Sequence, residues 1–324
     1  MSMNVSVNAL ALKIVQEMIE KKVELNIIVE KSENGATIID AGINAKGGYL
    51  AGKYMTEICL GGLAEVSLTL ANYDGLILPT ICVASDYPSI ALLGSQYAGW
   101  RISVGKYFAM GSGPARALSL KPKELYEKIK YKDESNVAII VLEANEKPTP
   151  EAIEYIAKEC KVEPKNVYAV VAPTSSIAGS VQISGRSIEA GLHKFMELGM
   201  DLSKIKCGFG QAPIAPIHPK FAQAMGRTND MLLYGCTTYY EVEYDNEEEL
   251  VKILEKAPSS SSSAYGRPFY EIFKEAGFDF YKIDPMLFAP AVVTVNNTKT
   301  GRIFTYGKIN PEILKRSINL TIRS

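Results

Sequence analysis

Residues 136–173 read NVAIIVLEANEKPTPEAIEYIAKECKVEPKNVYAVVAP, the pattern of two buried strands joined by a helix. The strands NVAIIVLEA and NVYAVVAP are almost wholly apolar, as parallel strands covered on both faces usually are. Between them, residues 149–160 have helical periodicity and open with Pro150, which suits the first helical turn. The sequence therefore predicts a right-handed βαβ unit and a parallel sheet.

A small-residue loop and a helix follow the second strand, where residues 173–194 read PTSSIAGSVQISGRSIEAGLHK. Ligands in open α/β sheets gather at the carboxyl ends of strands, so this loop begins where a site is expected. Ser184 is the predicted N-cap of the helix. A buried stripe is predicted for Ile188, Leu192, Phe195 and Met196.

Arg186 and Glu189 lie in the first turn of this predicted helix. One interpretation is a solvent-exposed pair, which stabilises a helix by roughly 0.2–0.5 kcal/mol. The other is a cleft in which Glu189 acts as a general base while Arg186 sets its charge and orientation. The spacing alone leaves both interpretations open.

The length and composition predict a two-domain protein of mixed α/β class. A chain of 324 residues exceeds the usual size of one core, so we expect two α/β domains with the active-site cleft between them. The predicted domains are residues 1–133 and 134–324, and a C-terminal hairpin around Asn296 is compatible with packing back on the first domain. Lys+Arg 35 against Asp+Glu 36 gives no basic footprint, so nucleic acid is not an expected partner.

Neither a membrane nor a resident metal is expected. The N-terminus has the spacing of an amphipathic helix rather than of a signal peptide, and no apolar run is long enough to span a bilayer, so a cytoplasmic location is predicted. Five scattered cysteines without a C-x-x-C motif, and only two histidines, argue against a disulfide framework and a zinc site.

A second candidate site is the glycine-rich segment Gly111-Ser112-Gly113-Pro114, which precedes a predicted helix. Free backbone N–H groups there, with Lys106 and Arg116 nearby, would form an anion cradle. The segment matches neither the phosphate-loop nor the dinucleotide pattern, and a tight loop that merely opens a helix remains the alternative.

Two further loops contain candidate residues. Residues 206–219, KCGFGQAPIAPIHP, are predicted to be an ordered irregular loop, in which His218 is either catalytic or has a capping or loop-packing role. The serine run at 259–263, which Arg267 follows, is either a flexible linker or an ordered polar loop against a ligand.

Five segments, in this order along the chain, resemble those of methenyltetrahydromethanopterin cyclohydrolases. They are GKYFAMGSGPARAL (105–118), PTSSIAGSVQISGRSIEAGLHK (173–194), KCGFGQAPIAPIHP (206–219), PSSSSSAYGRPFYEIF (258–273) and KIDPMLFAPAVVTVNN (282–297). The resemblance covers nearly the whole chain. It implies two α/β domains with the pterin in the cleft between them, a homotrimer, and no metal or prosthetic group.

The resemblance also implies an activity and its residues. Members hydrolyse the methenyl bridge of a tetrahydromethanopterin derivative, which is the substrate, to the 5-formyl form in a reversible reaction of methanogenesis. The family's catalytic Arg-x-x-Glu pair matches Arg186 and Glu189, with the glutamate as general base for the attacking water. The phosphate and carboxylate groups of the carrier's tail suggest further substrate contacts at Lys106, Gly111, Ser112, Gly113, Ser184 and Arg267.

Two other functions remain open on the residues. One is an enzyme of another reaction type that acts on an anionic metabolite, since the glycine-rich segment and the arginines would serve it equally. The other is a non-catalytic pterin-binding protein, in which Arg186 and Glu189 would form a surface pair.

Overall fold

A computed structural model describes residues 5–320, so the outermost ends of both predicted domains, residues 1–4 and 321–324, lie outside the described residues. The strands are β1 (Ile28–Lys31), β2 (Thr37–Asp40), β3 (Glu65–Tyr73), β4 (Leu76–Ser85), β5 (Trp100–Val104), β6 (Tyr107–Ser112), β7 (Ala138–Glu143), β8 (Val167–Ala172), β9 (Ile205–Pro213), β10 (Thr237–Val242), β11 (Val292–Asn297) and β12 (Arg302–Gly307).

The α-helices are α1 (Val7–Glu20), α2 (Tyr49–Cys59), α3 (Ala115–Ser119), α4 (Lys123–Ile129), α5 (Pro150–Cys160), α6 (Ile177–Ser184), α7 (Ser187–Glu197), α8 (Phe221–Asp230), α9 (Glu247–Leu254), α10 (Phe269–Glu275) and α11 (Pro311–Ser317). Two π-helical segments, Ser89–Gln96 and Met231–Gly235, and several short 3₁₀ turns complete the structure. The predicted mixed α/β class is confirmed.

The chain forms two compact units, each made of two separate segments. Among the described residues, unit 1 contains residues 5–65 and 89–182, and unit 2 contains residues 66–88 and 183–320. This division differs from the predicted boundary after residue 133, because strand pairing overrides chain order. The hairpin of β3 and β4 joins β9 in unit 2, whereas β7 and β8 join β2 in unit 1. The C-terminal hairpin of β11 and β12 pairs with β10, in unit 2.

Unit 1 is built on a six-stranded sheet of order β1-β2-β8-β7-β6-β5. The three central strands β2, β8 and β7 are mutually parallel, which confirms the predicted parallel pair around α5. Alternate residues of these strands face two cores. Ile140 and Leu142 pack with α5 on one face, while Ile139 and Val141 pack with α1 and α2 on the other.

Unit 2 is built on a second six-stranded sheet, of order β12-β11-β10-β9-β4-β3. Strands β10 and β11 are parallel, whereas the pairs β9–β10, β11–β12 and β4–β9 are antiparallel. Strand β9 occupies Ile205–Pro213, so the prediction of irregular structure for the first half of residues 206–219 was wrong. Its glycines do not break the strand, and they allow α7 to lie close to it.

No helix within residues 5–320 is both long and apolar enough to cross a membrane.

Candidate functional site

The segment that precedes Arg186 is a helix rather than a loop. Helix α6 begins at Ile177 and ends at Ser184, and the small residues of this stretch are compatible with close helix packing. The N-cap of α7 is Arg186 rather than Ser184, with φ −86° and ψ 15° and no capping side chain. Ser184 instead donates its hydroxyl proton to the carbonyl oxygen of Pro213 over 2.9 Å, which ties the junction to the end of β9.

Arg186 and Glu189 form a close and largely buried pair. Nη1 of Arg186 lies 3.8 Å from Oε2 of Glu189, and each side chain is 10% exposed. The distance is within electrostatic range but exceeds that of a hydrogen bond. The electrostatic interaction within this buried pair is stronger than in an ordinary surface ion pair, because charges removed from water are screened less. The site therefore holds a carboxylate with a cation at its side and a limited opening to solvent.

Glycine residues bring α7 unusually close to the sheet beneath it. A Cβ atom on Gly208 would lie 2.7 Å from Ile188 Cγ2, and one on Gly210 would lie 2.7 Å from Ser187 Oγ. On α7 itself, a Cβ atom on Gly191 would lie 2.0 Å from the hydroxyl oxygen of Tyr240. The tight packing fixes the height of α7 above the sheet, and with it the position of Glu189.

Tyr240 supports this helix from below. Its hydroxyl donates to the carbonyl oxygen of Ile188 over 2.9 Å, and its ring contacts Phe195 edge to face at 5.1 Å between centroids. Burial, to which the negative charge of Glu189 adds, raises the pKa of Tyr240 well above its usual value. Tyr240 therefore stays protonated and keeps its hydrogen bond.

Lys194 anchors the other half of α7 and was not predicted. The residue is 1% exposed, and its ammonium donates to the carbonyl oxygen of Met286 and to Ser261 Oγ, the latter over 3.3 Å. Burial lowers the pKa of Lys194 to about 8, while Asp284 opposes the change. The lysine thus joins α7 to two loops of unit 2.

The serine run is ordered, which excludes the flexible-linker interpretation. Ser259 Oγ donates to Leu233 O over 2.5 Å, and Ser262 Oγ donates to Asp284 Oδ2 over 2.6 Å. Arg267 lies beyond the run and pairs with Glu275 through two N–O distances of 2.6 Å, at an exposed position.

The glycine-rich segment lies in unit 1, at the end of β6. Gly111 and Ser112 are strand residues, and the N–H group of Gly113 donates to Ser95 O over 2.8 Å, so it is not free for an anion. Arg116 is fully buried and donates to backbone carbonyls, among them Leu93 O at 3.1 Å. Lys106 is exposed in the turn between β5 and β6.

His218 acts within its own loop. Its Nδ1 accepts the backbone N–H of Lys220 over 3.0 Å, which supports the capping interpretation of this residue. No cluster of three or more metal-binding side chains occurs among residues 5–320.

The predicted site residues therefore fall into two groups. Ser184, Arg186 and Glu189 lie together at the junction of α6 and α7 in unit 2, to which Arg267 also belongs. Lys106 and the residues Gly111, Ser112 and Gly113 belong to unit 1.

Buried charged residues were the main omission of the sequence interpretation. Asp230, at the end of α8, is fully buried and accepts hydrogen bonds from Phe269 N at 2.8 Å and Ser317 Oγ at 2.6 Å. Burial raises the pKa of this carboxyl to about 7. No local pattern distinguishes such a residue from a solvated aspartate.

The comparisons with known proteins agree on one family. A family model described as Cyclohydrolase (MCH) matches residues 6–318. This chain belongs to the cyclohydrolase (MCH) family. A relative from Methanococcoides burtonii is 55% identical over 98% of this chain and 99% of its own length. Relatives from Methanocaldococcus jannaschii and Methanothermobacter marburgensis are 52% and 49% identical, over 98% of this chain and 99% and 100% of their own lengths.

All three relatives carry the name methenyltetrahydromethanopterin cyclohydrolase. The MCH match spans both units, so it includes the α6–α7 junction as well as the sheet of unit 1. Membership in the MCH family agrees with the resemblance that the five sequence segments indicate.

Proposed function

We propose that this protein hydrolyses 5,10-methenyltetrahydromethanopterin to 5-formyltetrahydromethanopterin, reversibly. Membership in the MCH family and the names of its relatives support the reaction. The observation that carries the proposal is the buried pair of Arg186 and Glu189 on the first turn of α7. We further propose that the enzyme works without a prosthetic group, in the cytoplasm, and as a homotrimer.

Glu189 is the proposed general base. The methenyl carbon lies between two nitrogen atoms and carries delocalised positive charge, so it is already electrophilic. A water oxygen bonds to this carbon while Glu189 takes one of its protons. The bond from the carbon to N10 then breaks, and the proton held by Glu189 passes to N10. The hydroxyl group on the carbon releases its remaining proton to solvent, which leaves the formyl group on N5 and one proton set free overall. General acid-base catalysis of this kind contributes typically ~10²–10⁴-fold.

Arg186 is proposed to hold Glu189 ionised before attack. A cation at 3.8 Å favours the charged form of a carboxylate, and little water is present to screen the interaction. The cationic substrate acts in the same direction. Arg186 also restricts the rotamers of Glu189, because the two side chains lie on adjacent positions of one helical face.

The remaining substrate contacts are proposed at residues of both units. Lys106 offers an exposed ammonium for a phosphate or carboxylate of the carrier's tail. Arg267 would have to exchange its pair with Glu275 for the ligand. Gly111, Ser112 and Gly113 would contact the substrate by van der Waals packing rather than as an anion cradle. Ser184 would contact it because it lies at the end of α6, two residues before Arg186.

The decisive experiment follows the methenyl chromophore in the presence of wild-type protein and of Glu189→Gln. We expect the variant to lose at least about 100-fold in kcat with little change in KM, because the amide cannot accept a proton. Glu197→Gln is the matched control, since Glu197 is an exposed carboxylate on the same helix. Near-normal turnover by Glu189→Gln would exclude the general-base assignment.

Two further outcomes address the alternatives. Tight binding of the methenyl pterin by the wild type without turnover would favour a pterin-binding protein. Lys106→Ala should raise KM more than it lowers kcat, and an unchanged KM would remove Lys106 from the substrate contacts.

A further inference from the structure

The serine run at residues 259–263 contains serines of two kinds. Ser259 and Ser262 are 0% and 7% exposed, and their hydroxyls hold the segment to other parts of unit 2 through hydrogen bonds. The serines at positions 260, 261 and 263 are exposed instead. The two buried serines therefore account for the order of the run, and the exposed serines are accessible to solvent and to ligands.

Among the exposed serines, Ser261 lies beside a buried lysine. Lys194 Nζ is 3.3 Å from Ser261 Oγ, and Lys194 is 1% exposed. The hydroxyl of Ser261 also donates to the carbonyl oxygen of Lys256 over 2.7 Å. An accessible hydroxyl therefore lies within hydrogen-bond reach of an amine that is shielded from water.

A fixed peptide group orients this amine. Lys194 donates to the carbonyl oxygen of Met286, and the N–H group of Met286 donates to Asp284 Oδ1 over 2.9 Å. The other oxygen of Asp284 accepts the hydroxyl of Ser262 over 2.6 Å. A nucleophile, a base within reach of it and a third group that orients the base are the three parts of an activated nucleophile.

Burial makes the neutral amine available at moderate pH. The loss of hydration lowers the pKa of Lys194 to about 8, and the negative charge of Asp284, which faces the amine, opposes the change. On α7 itself, the nearest charged side chains, His193 and Glu197, lie 3.9 Å from each other. On the serine-run side, Lys256 is exposed. A neutral amine keeps two N–H donors, one of them for Met286, and has a lone pair that can accept the proton of Ser261.

We propose that Ser261 and Lys194 form a serine–lysine dyad that reacts with small activated acyl compounds, such as aryl esters and thioesters. This second hydrolytic activity belongs to unit 2 and does not involve Glu189. The backbone around Ser261 indicates the substrate class. The N–H groups of Ser261 and Ser262 donate to Pro258 O and Ser259 O over 3.0 and 3.1 Å, so they do not stabilise an oxyanion. The acyl compound must therefore bring a good leaving group.

The reaction has two steps. Ser261 Oγ forms a bond to the acyl carbon while its proton passes to Lys194 Nζ. The thiolate or aryloxide departs with the electron pair of the broken bond and takes this proton, which leaves an ester on Ser261. Water then bonds to the acyl carbon and gives a proton to Lys194, which returns it to the departing Ser261 oxygen. A carboxylic acid is released, and the dyad is restored.

The test treats the full-length protein with p-nitrophenyl acetate and measures the acetyl ester on Ser261 by peptide mass spectrometry. Hydroxylamine removes such an ester but leaves acetylated lysines intact. Lys194→Met and Lys194→Arg should each slow ester formation at least about 100-fold at pH 9, because neither side chain accepts the proton. Ser260→Ala, at an exposed serine of the same turn, is the matched control and should change the rate less than about twofold.

A pH profile of the wild type gives a readout that a structural role for Lys194 would not produce. The rate of ester formation should rise with pH and level off above about pH 8, whereas hydrolysis of the reagent by hydroxide keeps rising. Glu189→Gln should be acetylated on Ser261 as fast as the wild type, which separates this activity from the proposed cyclohydrolase reaction. An absence of ester on Ser261, equal rates in both Lys194 variants and the wild type, or a profile without levelling would overturn the dyad and leave the cyclohydrolase reaction untouched.

Discussion

Asp230 provides the most direct test of the energetics of unit 2. Its carboxyl is buried where α8 ends, and it holds the start of α10 through Phe269 and the end of α11 through Ser317. Replacement by asparagine keeps an oxygen for the N–H group of Phe269 and leaves an amide donor for the hydroxyl of Ser317. Asp230→Asn therefore removes a charge without removing the hydrogen-bond partners.

The sign of the pH dependence follows from the pKa. Burial raises the pKa of Asp230 from 3.8 to about 7, so between these values the folded protein keeps a proton that the unfolded chain has lost. The contribution of Asp230 to stability is therefore present below about pH 4 and is lost as the pH rises through 7. The loss amounts to about 4 kcal/mol when the carboxyl is fully ionised.

We expect Asp230→Asn to stabilise unit 2 by about 2–4 kcal/mol at pH 8 and to have little effect at pH 4. Thermal and urea unfolding between pH 4 and pH 8 would measure the difference. Asp40→Asn is the contrasting control, because Asp40 accepts four backbone N–H groups and the amide would face two of them with a donor. It should destabilise at pH 8 by about 1–3 kcal/mol. A loss of stability by Asp230→Asn at pH 8 would refute the reasoning.

Three substitutions on α7 test its packing. Gly191→Ala should lower both the melting temperature and kcat, since its Cβ would lie 2.0 Å from the Tyr240 hydroxyl oxygen, and overpacking costs about 1–3 kcal/mol; unchanged values would mean that α7 is not closely packed. Ser187→Ala should raise stability by about 1 kcal/mol in urea unfolding, because Ser187 Oγ is buried without a hydrogen-bond partner. Lys194, with a pKa of about 8, contributes stability that grows between pH 8 and 10.5, so Lys194→Met should flatten that part of the melting profile.

The helices and strands with a clear pattern of apolar residues could be predicted from the sequence. The predictions of the apolar strands β7 and β8 and of the helix between them were correct, because a fully buried strand has an uninterrupted apolar run of residues. The buried stripe on α7 was also correct at Ile188, Leu192 and Phe195, which are 0% exposed. In both cases the local pattern and the tertiary environment agree.

The prediction of secondary structure failed where small residues are needed for the packing of a neighbouring helix or strand. Gly208 and Gly210 suggest a loop when residues 206–219 are considered alone, but their absent side chains make room for α7. The small residues before Ser184 likewise suggested a loop when they were considered alone, although Ile177–Ser184 is helical. The strand and helix at these small residues become recognisable only when the element that packs against them is known.

The candidate site was predictable only in part. The Arg-x-x-Glu spacing identified Arg186 and Glu189, but their burial depends on the fold around α7.

The interleaving of the two units has a consequence for biosynthesis. The hairpin of β3 and β4 leaves the ribosome long before β9, the strand with which β4 pairs. At roughly 5–20 residues per second, synthesis of the residues between β4 and β9 leaves the edge of β4 unpaired for roughly 6–24 seconds. Unit 2 therefore cannot be completed during early synthesis, and no single cut in the gene yields both units intact. A library of terminal truncations should give soluble protein only near full length, whereas a circular permutant that opens the chain within an exposed loop keeps every strand pair.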